Sequence, residues 1–191
     1  MLTQRRPPRG YRGIDHVTIG SDIQAVLKVL RMPEQVLGKD EAQKLSQVDG
    51  KAWYPITWLL DLMETLDQSV GFYGLVQMGR KLFQMSHATR VKEVAQSARD
   101  ILYGMDNMYR FANRGVAIGG WHVLDFQPGL ATLEKTTPHH CAMEQGILTE
   151  AMSTVGCPVN IEQTHCMCKG ADSCVFVLSS SVADARWSGE T

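Results

Sequence analysis

Apolar residues recur every three to four positions along the chain up to Asn113 and every second position just beyond it, a change of period that separates a helical part from a strand-containing part. From Ser21, the spacing of Ile23, Val26, Leu27 and Leu30 predicts a helix capped by Ser21 or Asp22 and stopped by Pro33. Residues 34–51 are polar and mixed. Trp53-Tyr54-Pro55 then introduces Ile56, Leu59, Leu60, Met63 and Leu66 at helical spacing, with the proline in the first turn, where it is tolerated. A third helix is expected over about 70–85, although Gly71, Gly74 and Gly79 weaken it unless close helix packing needs their missing side chains. The longest periodic run, His87 to Asn113, places Val91, Val94, Ala98, Ile101, Leu102, Met105, Met108 and Tyr109 on one stripe and predicts a single long core helix.

After Arg114-Gly115 the period of two puts Val116, Ile118, His122, Leu124 and Phe126 on one face of a strand. Gln127-Pro128-Gly129 turns the chain back through Leu130 to Lys135, an antiparallel hairpin. A helix over about 140–155 and strands over 159–166 and 174–180 follow. This order defines an α+β fold, N-terminal helices packed on a small antiparallel sheet with one inserted helix. Residues 1–13, with four arginines and almost nothing apolar, read as a mobile basic tail, 14–180 as a single ligand-binding domain and 181–191 as a polar tail.

With 191 residues, 44% hydrophobic and 20% charged, the chain can bury a sizeable core. A net charge of −1 removes the long-range field that gathers phosphates, so direct nucleic-acid binding is not expected. No apolar run reaches the ~18 residues of a membrane span, and the N-terminus lacks the apolar stretch of a signal peptide, which points to a cytoplasmic protein. Ten methionines suit either an irregular core or an adaptable cavity wall.

All five cysteines, Cys141, Cys157, Cys166, Cys168 and Cys174, fall in one 34-residue window. In a reducing compartment such clustering favours metal ligation over a disulfide framework. Cys166 and Cys174 stand at the ends of two strands, with Gly170 and Asp172 able to turn the chain between them, and Cys141 opens the preceding helix, where the dipole lowers a thiol pKa. Three thiolates can then converge on a structural zinc, with His165, Cys168 or Glu162 available as a fourth ligand. Cys157 reads as an unliganded core thiol, and His139 and His140 as a helix cap and a surface residue.

The run Cys141-Ala-Met-Glu-Gln-Gly146, followed by Cys166-x3-Gly170-x3-Cys174-x-Phe176, resembles the 4-vinyl reductase domain, over about residues 50–180 and most specifically over the last forty. That family includes sensory domains of aromatic-responsive transcription activators and is structurally akin to TRAPP-type vesicle-tethering subunits. The resemblance implies an apolar pocket between helices and sheet, a dimer, and a zinc ion held by Cys141, Cys166 and Cys174 plus a glutamate. The family's glutamate position is Gln163 here; Glu162 is one place off and reaches the same face only through a bulge or register shift.

Together these features favour a sensing domain for an apolar or aromatic small molecule, lined by Tyr103, Trp121, His122 and Phe126 and signalling through a homodimer or a protein partner. An enzyme is disfavoured: the chain has no dinucleotide loop, P-loop or His-Glu-x-x-His, and no catalytic residue is assigned. A tethering-type adaptor and a haem-based sensor, with His122 or a cysteine as axial ligand, are the alternatives.

Overall fold

The computed structural model describes residues 16–190, so the basic segment read as a tail lies outside the described residues. The chain runs β1 (Val17–Ile19), α1 (Gly20–Val29), α2 (Pro33–Leu37), α3 (Lys39–Ser46), β2 (Trp53–Pro55), α4 (Ile56–Ser86), α5 (Ala88–Val94), α6 (Ala98–Ala112) and β3 (Asn113–Arg114). It continues with β4 (Trp121–Gln127), β5 (Leu130–Lys135), α7 (Cys141–Thr154), β6 (Asn160–His165), β7 (Cys174–Ser179) and α8 (Ala185–Ser188). Two antiparallel sheets result, a small one of order β2-β1-β3 and a larger one of order β4-β5-β7-β6, as an α+β arrangement requires.

The first helix starts at Gly20 rather than beyond a Ser21 or Asp22 cap, its preceding residue Ile19 giving no side-chain cap. Pro33 does not merely end it; Pro33 opens α2 at a position where a missing N–H is harmless. The polar stretch 34–51 is largely helical, because Ala42 and Leu45 give α3 a narrow buried edge. The helices expected around residues 56–66 and 70–85 form one element broken at Gly71, whose φ of 67° only glycine adopts readily.

The single helix expected over 87–113 is two helices. Ser97 Oγ accepts the Asp100 N–H at 3.2 Å while Asp100 Oδ2 accepts the Ser97 N–H at 3.0 Å, a reciprocal cap that starts α6 afresh. Periodicity misses the break because Val91, Val94 and Ala98 keep a helical spacing in sequence across the link 95–97. Val94, assigned to the core stripe, is 71% exposed.

The strand parity after Arg114 also differs from the expected one. Residues 115–120 form a loop in which Val116 is fully exposed and Ile118 buried, and Trp121, not His122, faces the core. A register irregularity between Val123 and Asp125 leaves Leu124 exposed and swings Phe126 inward. The segment after Ser180 is more than a polar tail: Trp187 on α8 is fully buried, stacks on Phe126 and donates from Nε1 to the Gln127 carbonyl at 2.7 Å.

The close crossing of α4 and α7 is set by two glycines. A Cβ on Gly79 would stand 2.0 Å from the Met143 carbonyl oxygen, and one on Gly146 would stand 2.0 Å from that of Val76. The missing side chain of Gly79 is therefore the one that packing requires. Gly79→Ala or Gly146→Ala must push the helices apart and is expected to lower stability in urea denaturation by roughly 2–3 kcal/mol. Gly104→Ala, which adds a methyl group to open space on α6, is expected to be neutral or stabilising.

Candidate functional site

Cys141 is the first residue of α7, and β7 begins with Cys174 beside it. The two sulfurs are 3.2 Å apart, and Cys166 Sγ lies 3.8 Å from Cys141 Sγ on the other side. Between β6 and β7 the chain makes one turn of 3-10 helix, Met167–Lys169, which folds Cys168 back so that the sulfurs of Cys141, Cys166 and Cys168 all lie within 4.8 Å of one another. The Met167 N–H points at Cys174 Sγ from 3.3 Å. Cys174 adjoins this group of three through Cys141, at the junction of a helix and a hairpin.

The other two candidates for the fourth position lie elsewhere. Glu162 is exposed on β6 opposite Val177, and the irregularity in that strand comes after Gln163, too late to turn Glu162 inward. His165 is exposed and pairs with Thr164 Oγ1 at 3.1 Å. Gln163 points inward, its Nε2 buried without a partner. Cys157 is buried away from the cluster, its thiol donating to the Arg186 carbonyl at 3.2 Å.

The electrostatics of the cluster centre on Cys141. Contact with the Cys166, Cys168 and Cys174 sulfurs, with a cation nearby, lowers the Cys141 pKa far below the ordinary thiol value; within the cluster Cys166 is also lowered, while Cys168 and Cys174 are raised. The cation is Lys135, fully buried, with Nζ donating to the His139 carbonyl at 2.7 Å and 3.9 Å from Cys141 Sγ. Burial alone would lower the Lys135 pKa, but the negative charge on Cys141 and its neighbours outweighs that and raises it. Sequence reasoning did not single out Lys135. The signal was the alternation Ala131, Leu133, Lys135, which sets a lysine on the core face of β5 opposite Cys174.

On the helical side of this junction lie two adjoining cavities. The larger, about 770 Å³, lies among α1, α5 and α6 and is walled by apolar residues including Phe83, Val91, Met105, Met108 and Phe111. The smaller, about 50 Å³, lies deeper, against Tyr109, His139 and Glu144, and Asp22 and His87 border both. The cap of α7 is His140, expected at the surface, whose ring accepts the Ala142 N–H, whereas His139, expected as the cap, is buried, with Nδ1 3.1 Å from Glu144 Oε1 and its ring edge-on to Tyr109. Burial raises the Tyr109 pKa and lowers that of His87.

None of the four residues assigned to a ligand pocket lines the larger cavity. Trp121 borders the smaller one and stacks on Phe176 in the core; Tyr103 is 51% exposed and edge-on to Phe126; His122 is exposed, opposite Glu134. The pocket was expected between helices and sheet; the larger cavity is lined mainly by helical residues, and Trp121 borders the smaller one.

The fold is similar to that of H-NOX proteins. An H-NOX protein from S. oneidensis, in a mutant form and the Fe(II) ligation state, matches with a TM-score of 0.65 and 15% identity over 88% of this chain and 99% of that one. The same protein in the Fe(II)NO state gives 0.64 and 15% over 85% and 99%, and the Fe(II) unliganded H-NOX protein from K. algicida gives 0.63 and 11% over 85% and 96%. Within that fold, the sequence model of the 4-vinyl reductase domain matches residues 127–180, from the end of β4 past β7, a stretch that contains all four clustered cysteines. No curated protein matches the sequence. Among the described residues no helix is long and apolar enough to cross a membrane.

Asp22 carries the clearest pH consequence. Burial pushes its pKa up from 3.8 to about 6, with His139 opposing and Glu144 adding to the rise. Its ionised form therefore costs stability above about pH 6, and the cost vanishes below about pH 4, where the carboxyl is protonated in both folded and unfolded chains. Asp22→Asn is expected to stabilise the protein by about 1–2 kcal/mol at pH 8 and by little at pH 4, as read by thermal melts across pH.

Proposed function

We propose that this is a small-molecule sensing domain in which an apolar ligand occupies the cavity among α1, α5 and α6 and a structural zinc fastens the start of α7 to the β6–β7 hairpin. The observation that carries the reading is the cavity itself: about 770 Å³ with mainly apolar walls is the size and character of a ligand site, not of a packing defect. The 4-vinyl reductase domain match and the H-NOX-like fold support a sensing role. The signal then leaves through self-association or a protein partner, because a shift of α5 and α6 around the ligand changes the surface they present.

Zinc is supported by the donor set. Four sulfurs about 2.3 Å from a tetrahedral ion stand about 3.8 Å apart; the Cys141–Cys166 pair is at 3.8 Å and the Cys141–Cys174 pair, at 3.2 Å, needs only to open slightly. Four thiolates around a divalent ion leave two excess negative charges, and the buried Lys135 ammonium offsets one of them. A closed set of four cysteines makes the ion structural. Cys168→Ser is expected to lose the zinc measured by elemental analysis, whereas His165→Ala and Glu162→Gln retain it; the reverse pattern would move the fourth ligand to β6.

A haem-based sensor is the second reading, favoured by the likeness to structures in Fe(II) and Fe(II)NO states. His122 and the cysteines do not suit it, the first exposed and the others turned toward each other. His87, on the cavity wall and held neutral by burial, is the imidazole that would bind an iron there. A Soret absorption in the purified protein that is lost in His87→Ala would establish this reading over the first.

The ligand site is tested at Gly104, which lines the larger cavity and where an added Cβ meets nothing within 4 Å. Gly104→Phe is expected to keep the fold and to reduce binding of 1-naphthalenemethanol, followed by calorimetry, at least tenfold. Unchanged affinity would place the ligand elsewhere.

A further inference from the structure

The outer edge of the larger cavity is basic and aromatic. Arg90 on α5 and Phe111 on α6 both line it, and the Arg90 guanidinium carbon lies 5.0 Å from the centre of the Phe111 ring. Phe111 is 64% exposed and Arg90 is exposed too, so the pair joins the two helices where the cavity meets solvent. Lys28, also exposed, lines the same cavity from the side of α1. A ring contact occupies the flat face of a guanidinium and leaves its in-plane N–H groups able to donate. Among the described residues, neither the Arg90 nor the Lys28 side chain has a hydrogen-bond or ion-pair partner.

The two carboxylates that border the cavity are placed differently. Asp100 Oδ2 accepts the Gln96 and Ser97 N–H groups in the cap that opens α6, where the helix dipole favours its charge. Asp22 stands in the first turn of α1, less exposed than Arg90 and Lys28, and burial disfavours its ionised form. A second anion beside Asp22 would add repulsion to that burial. An anionic group on a ligand is therefore turned away from Asp22 and toward the exposed basic edge. The wall between is apolar, formed by Val91, Met105 and Met108.

We infer that the ligand of the larger cavity is an apolar or aromatic carboxylic acid, bound as its carboxylate, with the anionic group on Arg90 and the apolar body among Val91, Met105 and Met108. This rests on the cavity being the ligand site and names the chemical class that the site selects. The planar fork of Arg90 offers two parallel N–H groups to a carboxylate, and the Phe111 ring holds that fork at the cavity edge. Lys28 adds to the positive field there. Because the edge is exposed, salt screens the attraction.

The test compares three probes of one aromatic shape at pH 7.5 by calorimetry: 1-naphthoate, 1-naphthalenemethanol and 1-naphthylmethylamine. At low salt the naphthoate is expected to bind about tenfold tighter than the alcohol, with the amine weakest. The advantage shrinks as sodium chloride is raised to about 0.5 M. Arg90→Gln, with its fold checked by circular dichroism, is expected to remove the advantage while leaving the alcohol's affinity within about threefold. A naphthoate no tighter than the alcohol, an amine that binds tightest, or an advantage that survives high salt or Arg90→Gln would overturn the inference. Equal binding of all three, blocked by Gly104→Phe, would overturn the carboxylate alone and leave the cavity reading standing; binding of none would remove both.

Discussion

The crossing of α4 and α7 at Gly79 and Gly146 sets the distances on which the rest of the structure depends. With no side chain at either glycine, backbone meets backbone, and α7 lies in one position along α4 rather than in a range of them. That position carries Cys141 to the cysteines of the β6–β7 hairpin at one end. Farther along, it brings Glu144 and Met143 to the smaller cavity and Ala151 to the larger. A shift of one ångström at the crossing would separate the sulfurs and change the shape of both cavities.

Charge is buried at two points beside this helix, and the balance differs between them. At the cysteines the negative charge of the cluster and the Lys135 ammonium are opposite in sign and adjacent, so each stabilises the other where neither could be buried alone. Beside the larger cavity Asp22 is held chiefly by burial to a higher pKa, with His139 opposing and Glu144 adding to the rise. The first arrangement is internally compensated and suits a structural role. The second is one carboxyl group whose charge burial disfavours, beside open space.

Much of the second half was legible in the sequence because its signals are local. The Gln127-Pro128-Gly129 turn, the α7 helix and the two strands flanking the cysteines follow from spacing and turn residues, and the clustering of Cys141, Cys166, Cys168 and Cys174 follows from those elements. The first half was less legible. The break at Ser97 was hidden because Val91, Val94 and Ala98 keep a helical spacing in sequence across it, although the Ser97 and Asp100 pair was there to be read as a cap. The loop 115–120 reversed strand parity at Trp121 and His122, and the irregularity between Val123 and Asp125 restored it at Phe126. The cavity had no sequence signal, since empty space depends on how far apart helices stand and not on which residues face it.

If zinc on the cysteines fixes α7 beside the proposed ligand cavity, which α7 borders through Ala151, the most direct measurement is zinc content and 1-naphthalenemethanol affinity on the same sample before and after chelation. The expected result is about one zinc per chain as purified, with binding lost when the metal is removed and recovered when zinc is returned. A protein that binds the probe equally well when stripped, or that never contained metal, would contradict the account.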